Sequence, residues 1–132
     1  MEIQGYANEL VTSCSGVSDI WLLGSRANGT ARIDSDWDLL IFGNASALAC
    51  IKASARFHRV DVDCLVVTDG NTFETACGPR KAGSLKSWDW EQHSTMRASY
   101  TQAKWTGREG ATGVVSRPGR ALRVWPTNEH AL

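Results

Sequence analysis

The stretch that decides the reading is Trp21-Leu22-Leu23-Gly24-Ser25-Arg26-Ala27-Asn28-Gly29-Thr30-Ala31-Arg32-Ile33-Asp34-Ser35-Asp36-Trp37-Asp38-Leu39-Leu40-Ile41-Phe42. Alternate residues of a β-strand share a face, so Asp36 and Asp38 point the same way in an extended segment. The run that follows them, Leu39 to Phe42, has the continuous apolar character of a strand buried on both faces. Charges at the mouth of such a strand are costly unless they are paired or bind a metal ion. The segment Val60-Asp61-Val62-Asp63-Cys64-Leu65-Val66-Val67 repeats the arrangement. If the two strands are neighbours, three or four carboxylates converge and raise one another's pKa values. A divalent cation relieves that conflict, and oxygen-only ligation suits Mg²⁺ or Mn²⁺.

Gly24-Ser25 lies where one strand gives way to a short helix that stops near Asn28-Gly29. Glycine lets backbone approach a ligand, and free N–H groups beside a serine hydroxyl make a seat for phosphate. A phosphate seat and metal-type carboxylates together point to a nucleoside triphosphate.

Working outward, Ile3, Tyr6, Leu10 and Val11 predict an amphipathic helix over 3–13. Strands are expected at Asp19 to Leu23, Asp36 to Phe42 and Val60 to Val67, with a helix from Ala45 to Phe57 between the last two. That order favours a right-handed crossover and a parallel pair. Beyond residue 70 the pattern predicts a loop over 78–83, a strand over 84–92 with Trp88 and Trp90 on one face, and a helix over 94–105. Gly, Arg, Thr and Pro then dominate. The expected organisation is a single domain over 1–106 and a loose tail over 107–132, with Trp125 docking back on the body.

The chain of 132 residues is 42% hydrophobic and 21% charged, which suits one globular domain. No apolar run approaches the roughly 20 residues of a membrane span. The N-terminal residues lack the basic-then-apolar pattern of a secretory leader, so a cytoplasmic location is expected. Cys14, Cys50, Cys64 and Cys77 form no CxxC pair and read as buried thiols in a reducing compartment rather than a zinc site. The histidines His58, His93 and His130 have no partner at ligand spacing. Net charge is zero but uneven: five Lys/Arg and ten Asp/Glu over 1–78, nine and four over 79–132. The basic half, including Arg80, Lys81 and Lys86, is either a solvated face or a surface for an anionic substrate.

Gly24-Ser25, ten intervening residues, then Asp36-x-Asp38 resembles the signature of the DNA polymerase beta-type nucleotidyltransferases, closest to the small stand-alone domains of that superfamily. The resemblance covers residues 18–70. It implies an α/β (α+β in some schemes) fold, with a small mixed β-sheet flanked by helices. It also implies a metal-dependent enzyme that moves a nucleoside monophosphate from a triphosphate such as ATP to a hydroxyl, releasing pyrophosphate. Asp36, Asp38 and Asp63 would be the catalytic metal ligands, with Asp61 the alternative third acid; Gly24, Ser25 and Arg26 would contact the phosphates. Trp37 departs from the family pattern, which often has a smaller aliphatic residue there. The second domain of larger members is absent. Small members often pair with a helical protein in toxin–antitoxin systems, which suggests a helical partner or a second copy. The competing readings are a non-catalytic, partner-dependent module and a plain nucleotide- or nucleic-acid-binding protein.

Overall fold

The computed structural model describes residues 2–105 and 114–127. Eight strands form one mixed sheet: β1 (Val17–Leu23), β2 (Trp37–Gly43), β3 (Val62–Val67), β4 (Thr72–Cys77), β5 (Ala82–Ser84), β6 (Glu91–Gln92), β7 (Arg97–Trp105) and β8 (Val114–Trp125). Their spatial order is β5-β4-β3-β2-β1-β8-β7-β6. The β2–β3 pair is parallel, as the intervening helix predicts, and the other pairs are antiparallel.

Three helices, α1 (Ile3–Ser13), α2 (Gly24–Asn28) and α3 (Ala45–Ala53), contribute to one face of the sheet. Glu2 caps α1 by accepting from the N–H groups of Gln4 and Gly5 at 2.9 and 2.8 Å. Asn44 caps α3 by accepting from Ala47 at 2.9 Å. Tyr6, Leu10 and Ile51 pack there on Ile20, Leu22, Leu39 and Ile41. The Tyr6 hydroxyl satisfies itself in this core by donating to the Phe57 carbonyl at 2.7 Å.

The opposite face has no helical cover among the described residues. Trp21, Leu23, Leu40, Leu65, Val67 and Phe73 form its core, closed by Leu85, Trp88, Trp90 and Tyr100. Trp88 lies between Phe73 and Tyr100, with ring centroids 4.6 and 5.4 Å away. Trp90 meets Trp21 edge-on at 5.4 Å. Aromatic rings cover much area with few rotatable bonds, so a short segment does here what a helix does on the other face.

Several expectations are corrected. The helix predicted to run to Phe57 stops at Ala53, and a 3₁₀ turn follows at Ala55–Phe57. Residues 72–77 form a strand that the sequence reading missed, and 82–84 pair with it. The segment 84–92 is mainly a turn around Leu85, which accepts from the N–H groups of both Trp88 and Trp90. The helix expected over 94–105 is strand β7. Its buried Ala98 and Tyr100 alternate with more exposed neighbours, a period of two.

The expected tail fails over 114–125, which is β8, hydrogen-bonded between β1 and β7. Gly119 and Pro118 disguise it, yet Ala121 is fully buried and Leu122, Val124 and Trp125 pack on the helical-side core. Trp125 therefore docks on the body, opposite Ile20. The parts of the predicted tail at 106–113 and 128–132 lie outside the described residues, as does His130.

Cys14 and Cys50 are joined in a disulfide that ties the end of α1 to α3, while Cys64 and Cys77 are free and buried. The expectation of four reduced thiols is thus corrected at the first two. Wide sequence spacing hid the pair, because only the packing of α1 beside α3 brings their Cα atoms to 5.6 Å. Among the described residues no helix is long and apolar enough to cross a membrane.

Candidate active site

One end of the sheet collects the chemistry. Going from β1 to β5, that end presents Gly24 after β1, Asp38 at the start of β2, Asp63 at the start of β3, and the Gly78–Lys81 turn between β4 and β5. Asp38 pairs in register with Leu23 on one side and Asp63 on the other. Both acids share their strands' parity with Leu40 and Leu65, so they open onto the aromatic-covered face. There they line a pocket with Gly24, Lys81, Trp88 and Tyr100.

The electrostatics follow from that placement. Burial, then the charge of Asp63, pushes the Asp38 carboxyl up to about 6; Lys81 opposes the rise and Asp36 adds to it. Asp63 is also raised, first by burial and then by Asp36. Two carboxyls side by side cannot both be charged cheaply, so the pair favours a shared proton or a cation. Backbone without side chains makes room for them. A Cβ on Gly24 would stand 2.5 Å from Asp38 Oδ2, and one on Gly78 would fall onto Asp63 Oδ1. Both glycines have positive φ, +68° and +94°, which other residues rarely adopt.

The Gly24 amide is engaged. Its N–H donates to the Tyr100 hydroxyl at 2.9 Å. The Tyr100 ring lies so close over β8 that a Cβ on Gly119 would stand 2.6 Å from its Cζ. Ser25 follows in α2 and is half-buried. Arg26 lies outside the pocket lining. Its guanidinium donates to the carbonyls of Ile33 and Ser35 at 3.4 and 2.8 Å and stacks on Trp37, 4.3 Å from the ring centroid. It thereby braces the loop that leads into Asp36. Trp37, on the parity opposite to the acids, packs on the helical-side core, so its bulk does not enter the pocket.

Of the other predicted acids, Asp36 is exposed just before β2, and Asp34 is exposed in the loop. Asp61 turns to Arg59, with oxygens 2.9 and 3.2 Å from the guanidinium, and this partner lowers its pKa. The structure thus brings Asp38 and Asp63 together and leaves Asp61 outside. Among the described residues no group of three or more His, Cys, Asp or Glu side chains is gathered closely enough to hold a metal ion. Asp36 reaches the pair through its charge. Two pocket residues were not singled out as site residues. Lys81 had read first as part of a solvated face, and Tyr100 as part of a helix. Nothing local marks Tyr100, because its role depends on β7 lying beside β8.

Residues 3–56 match the model of the nucleotidyltransferase domain family. That segment is of nucleotidyltransferase type. It runs from α1 through β1, the Gly24-Ser25 bend and β2 into the 3₁₀ turn, so it includes Asp36 and Asp38 and stops before Asp63. At the family level this supports nucleotidyl transfer. No curated protein and no solved structure matches the chain.

Proposed function

We propose that the protein is a metal-dependent nucleotidyltransferase, moving a nucleoside monophosphate from a triphosphate to a hydroxyl acceptor with release of pyrophosphate. The observation that carries this reading is the facing pair Asp38 and Asp63, half-buried in one pocket beside the Gly24-Ser25 bend. A pair of carboxyls raised by burial and by neighbouring negative charge has the donor chemistry that Mg²⁺ or Mn²⁺ takes, and Gly24 and Gly78 leave space against them. Asp38 and Asp63 would hold the cation, with Asp36 completing the set after a shift of the loop before β2. The cation would supply charge neutralisation for the triphosphate and the leaving pyrophosphate.

The remaining work falls to the chain itself. The Gly24 N–H, released from Tyr100, and the Ser25 hydroxyl would bind phosphate oxygens. Asp63 would accept the proton of the attacking hydroxyl. The aromatic cover of Trp88 and Tyr100 would keep water from the α-phosphorus, favouring the acceptor over hydrolysis. Arg26 would act indirectly, fixing the loop that presents Asp36. The test is incubation with each α-labelled nucleoside triphosphate and Mg²⁺, comparing wild type with Asp36→Asn and Asp38→Asn. Label should move to an acceptor, including the protein itself, only with both acids intact. Label transfer that survives Asp38→Asn would refute the assignment.

A further inference from the structure

The proposed chemistry leaves one pair of reactive side chains without a task. Cys64 on β3 and Cys77 on β4 are Cα partners in the antiparallel ladder, and both thiols are free and buried. Simple alternation along β4 would separate them. Phe73 faces the aromatic-covered side, and Thr75 and Cys77 would follow it there. The ladder instead shifts between Cys64 and Leu65. Leu65 pairs with Thr75 and Cys64 with Cys77, so Ala76 is an extra residue on β4. This bulge turns Cys77 to the helical side, into the core that holds Cys64, and the two thiols interact there.

Opposed residues of an antiparallel pair have Cα atoms about 4.5–5.5 Å apart, inside the roughly 4.4–6.8 Å that a disulfide spans. Both strands also tie the pair to the acid site. Cys64 follows Asp63, and Cys77 precedes Gly78, which is packed so closely on the Asp63 carboxyl that a Cβ there would fall onto Oδ1. Cys77 is among the residues lining the pocket of Asp38 and Asp63, whereas Cys64 is fully buried. The Tyr6 hydroxyl lies 3.5 Å from the Cys64 sulfur but donates to the Phe57 carbonyl at 2.7 Å, so loss of the thiol leaves it satisfied.

We propose that Cys64 and Cys77 form a peroxide-sensitive pair whose disulfide disables the acid site by displacing Gly78 against Asp63. The regulatory consequence rests on the transferase reading above; the bond itself does not. Hydrogen peroxide reaches Cys77 through the pocket and oxidises its sulfur to the sulfenic acid, releasing one water. The Cys64 sulfur attacks that sulfur and the S–O bond breaks. The departing hydroxide takes the thiol proton and leaves as a second water. Two thiols thus lose two electrons and two protons, and peroxide takes them up. Closing the bond draws the sulfurs from contact to about 2.05 Å, which shifts the bulged end of β4 across β3. Gly78 has no slack against the Asp63 carboxyl, so the movement is delivered to the residue that would hold the cation and accept the proton. Cys14 and Cys50 are already bonded and do not respond to the oxidant.

The experiment treats the intact protein with a small molar excess of hydrogen peroxide. Free thiols are counted, and cysteine linkages are mapped by mass spectrometry of peptides. Mg²⁺ stabilisation is read from the melting temperature, and transfer from α-labelled triphosphate is followed in parallel. Wild type should lose both free thiols, gain a Cys64–Cys77 link and keep Cys14–Cys50. The rise in melting temperature on adding Mg²⁺ should disappear. Transfer should fall by about 10²-fold, the order expected for a reacting group displaced by about 1 Å. A thiol reductant should restore both. Cys77→Ala removes one partner, and it should keep its Mg²⁺ response and transfer rate through the same treatment.

A folded protein in which peroxide leaves both thiols intact, or oxidises one without linking the two, would overturn the pair. A Cys64–Cys77 link that leaves the Mg²⁺ response and transfer unchanged would overturn its hold on Asp63. No transfer from any triphosphate before oxidation, with a Mg²⁺ response that the link abolishes, would overturn the transferase reading and leave the thiol lock on the acids standing. Absence of both transfer and Mg²⁺ response in the reduced protein would overturn that reading and the regulatory role together.

Discussion

Replacing Asp38 by Asn tests the physics of the site without requiring turnover. Asp38 is raised from its ordinary 3.8 to about 6, chiefly by burial and by Asp63. The folded protein therefore holds a proton between about pH 4 and pH 6 that the unfolded chain has released. Stability falls as pH rises through that window, and the penalty persists above it. Taken at face value, a shift of this size is worth about 3 kcal/mol at pH 7. Asp38 is only partly buried, and solvent screening reduces this to about 1–2 kcal/mol. Asn cannot ionise and escapes the penalty. Asp38→Asn should thus match wild type near pH 4 and melt higher at pH 7.5, by roughly 4–8 °C for a domain of this size. Thermal unfolding followed by circular dichroism, at half-unit pH steps, measures the difference. A gap between variant and wild type that stays constant from pH 4 to pH 7.5 would refute the claim that the acid pair stores repulsion. Adding Mg²⁺ should close or reverse the gap at pH 7.5, because the cation stabilises the ionised pair by mass action.

The other predictions probe the frame. Gly24→Ala and Gly78→Ala should each cost about 1–3 kcal/mol by chemical denaturation, since a Cβ meets a carboxylate at a positive φ. Reducing the Cys14–Cys50 bond, or Cys50→Ser, should lower stability by up to about 3–4 kcal/mol, the chain-entropy value for their separation of 36 residues. A melt unchanged by reductant would show that the bond does not constrain the chain. A chain ending at Trp105 should lose its cooperative melt, because β8 lies between β1 and β7. Tyr100→Phe should tighten triphosphate binding in a titration, because it frees the Gly24 N–H that the phenol now occupies.

What was legible in the sequence was local. The spacing of α1, the apolar run of β2, the Gly24-Ser25 bend and the parity of Asp36 and Asp38 are properties of short segments. Periodicity reports them directly. The parallel β2–β3 pair followed from the helix between them, because a crossover connection is what parallel neighbours require. The mixed α and β character of the chain and the acids at the mouths of two strands were therefore visible in the sequence alone.

Tertiary structure decided the rest, wherever meaning depended on a partner far along the chain. Val114–Trp125 is a strand because β1 and β7 offer it hydrogen bonds on both edges; by composition alone it reads as a tail. Residues 97–105 follow the same logic, for alternation at Ala98 and Tyr100 is too brief to outweigh helical propensity until a core forms beneath them. Asp61 and Asp63 share parity, and only folding turned one to Arg59 and set the other beside Asp38. Proximity between distant residues is created by chain closure. No local pattern encodes it, so the sequence supplied the acids and the fold chose which of them meet.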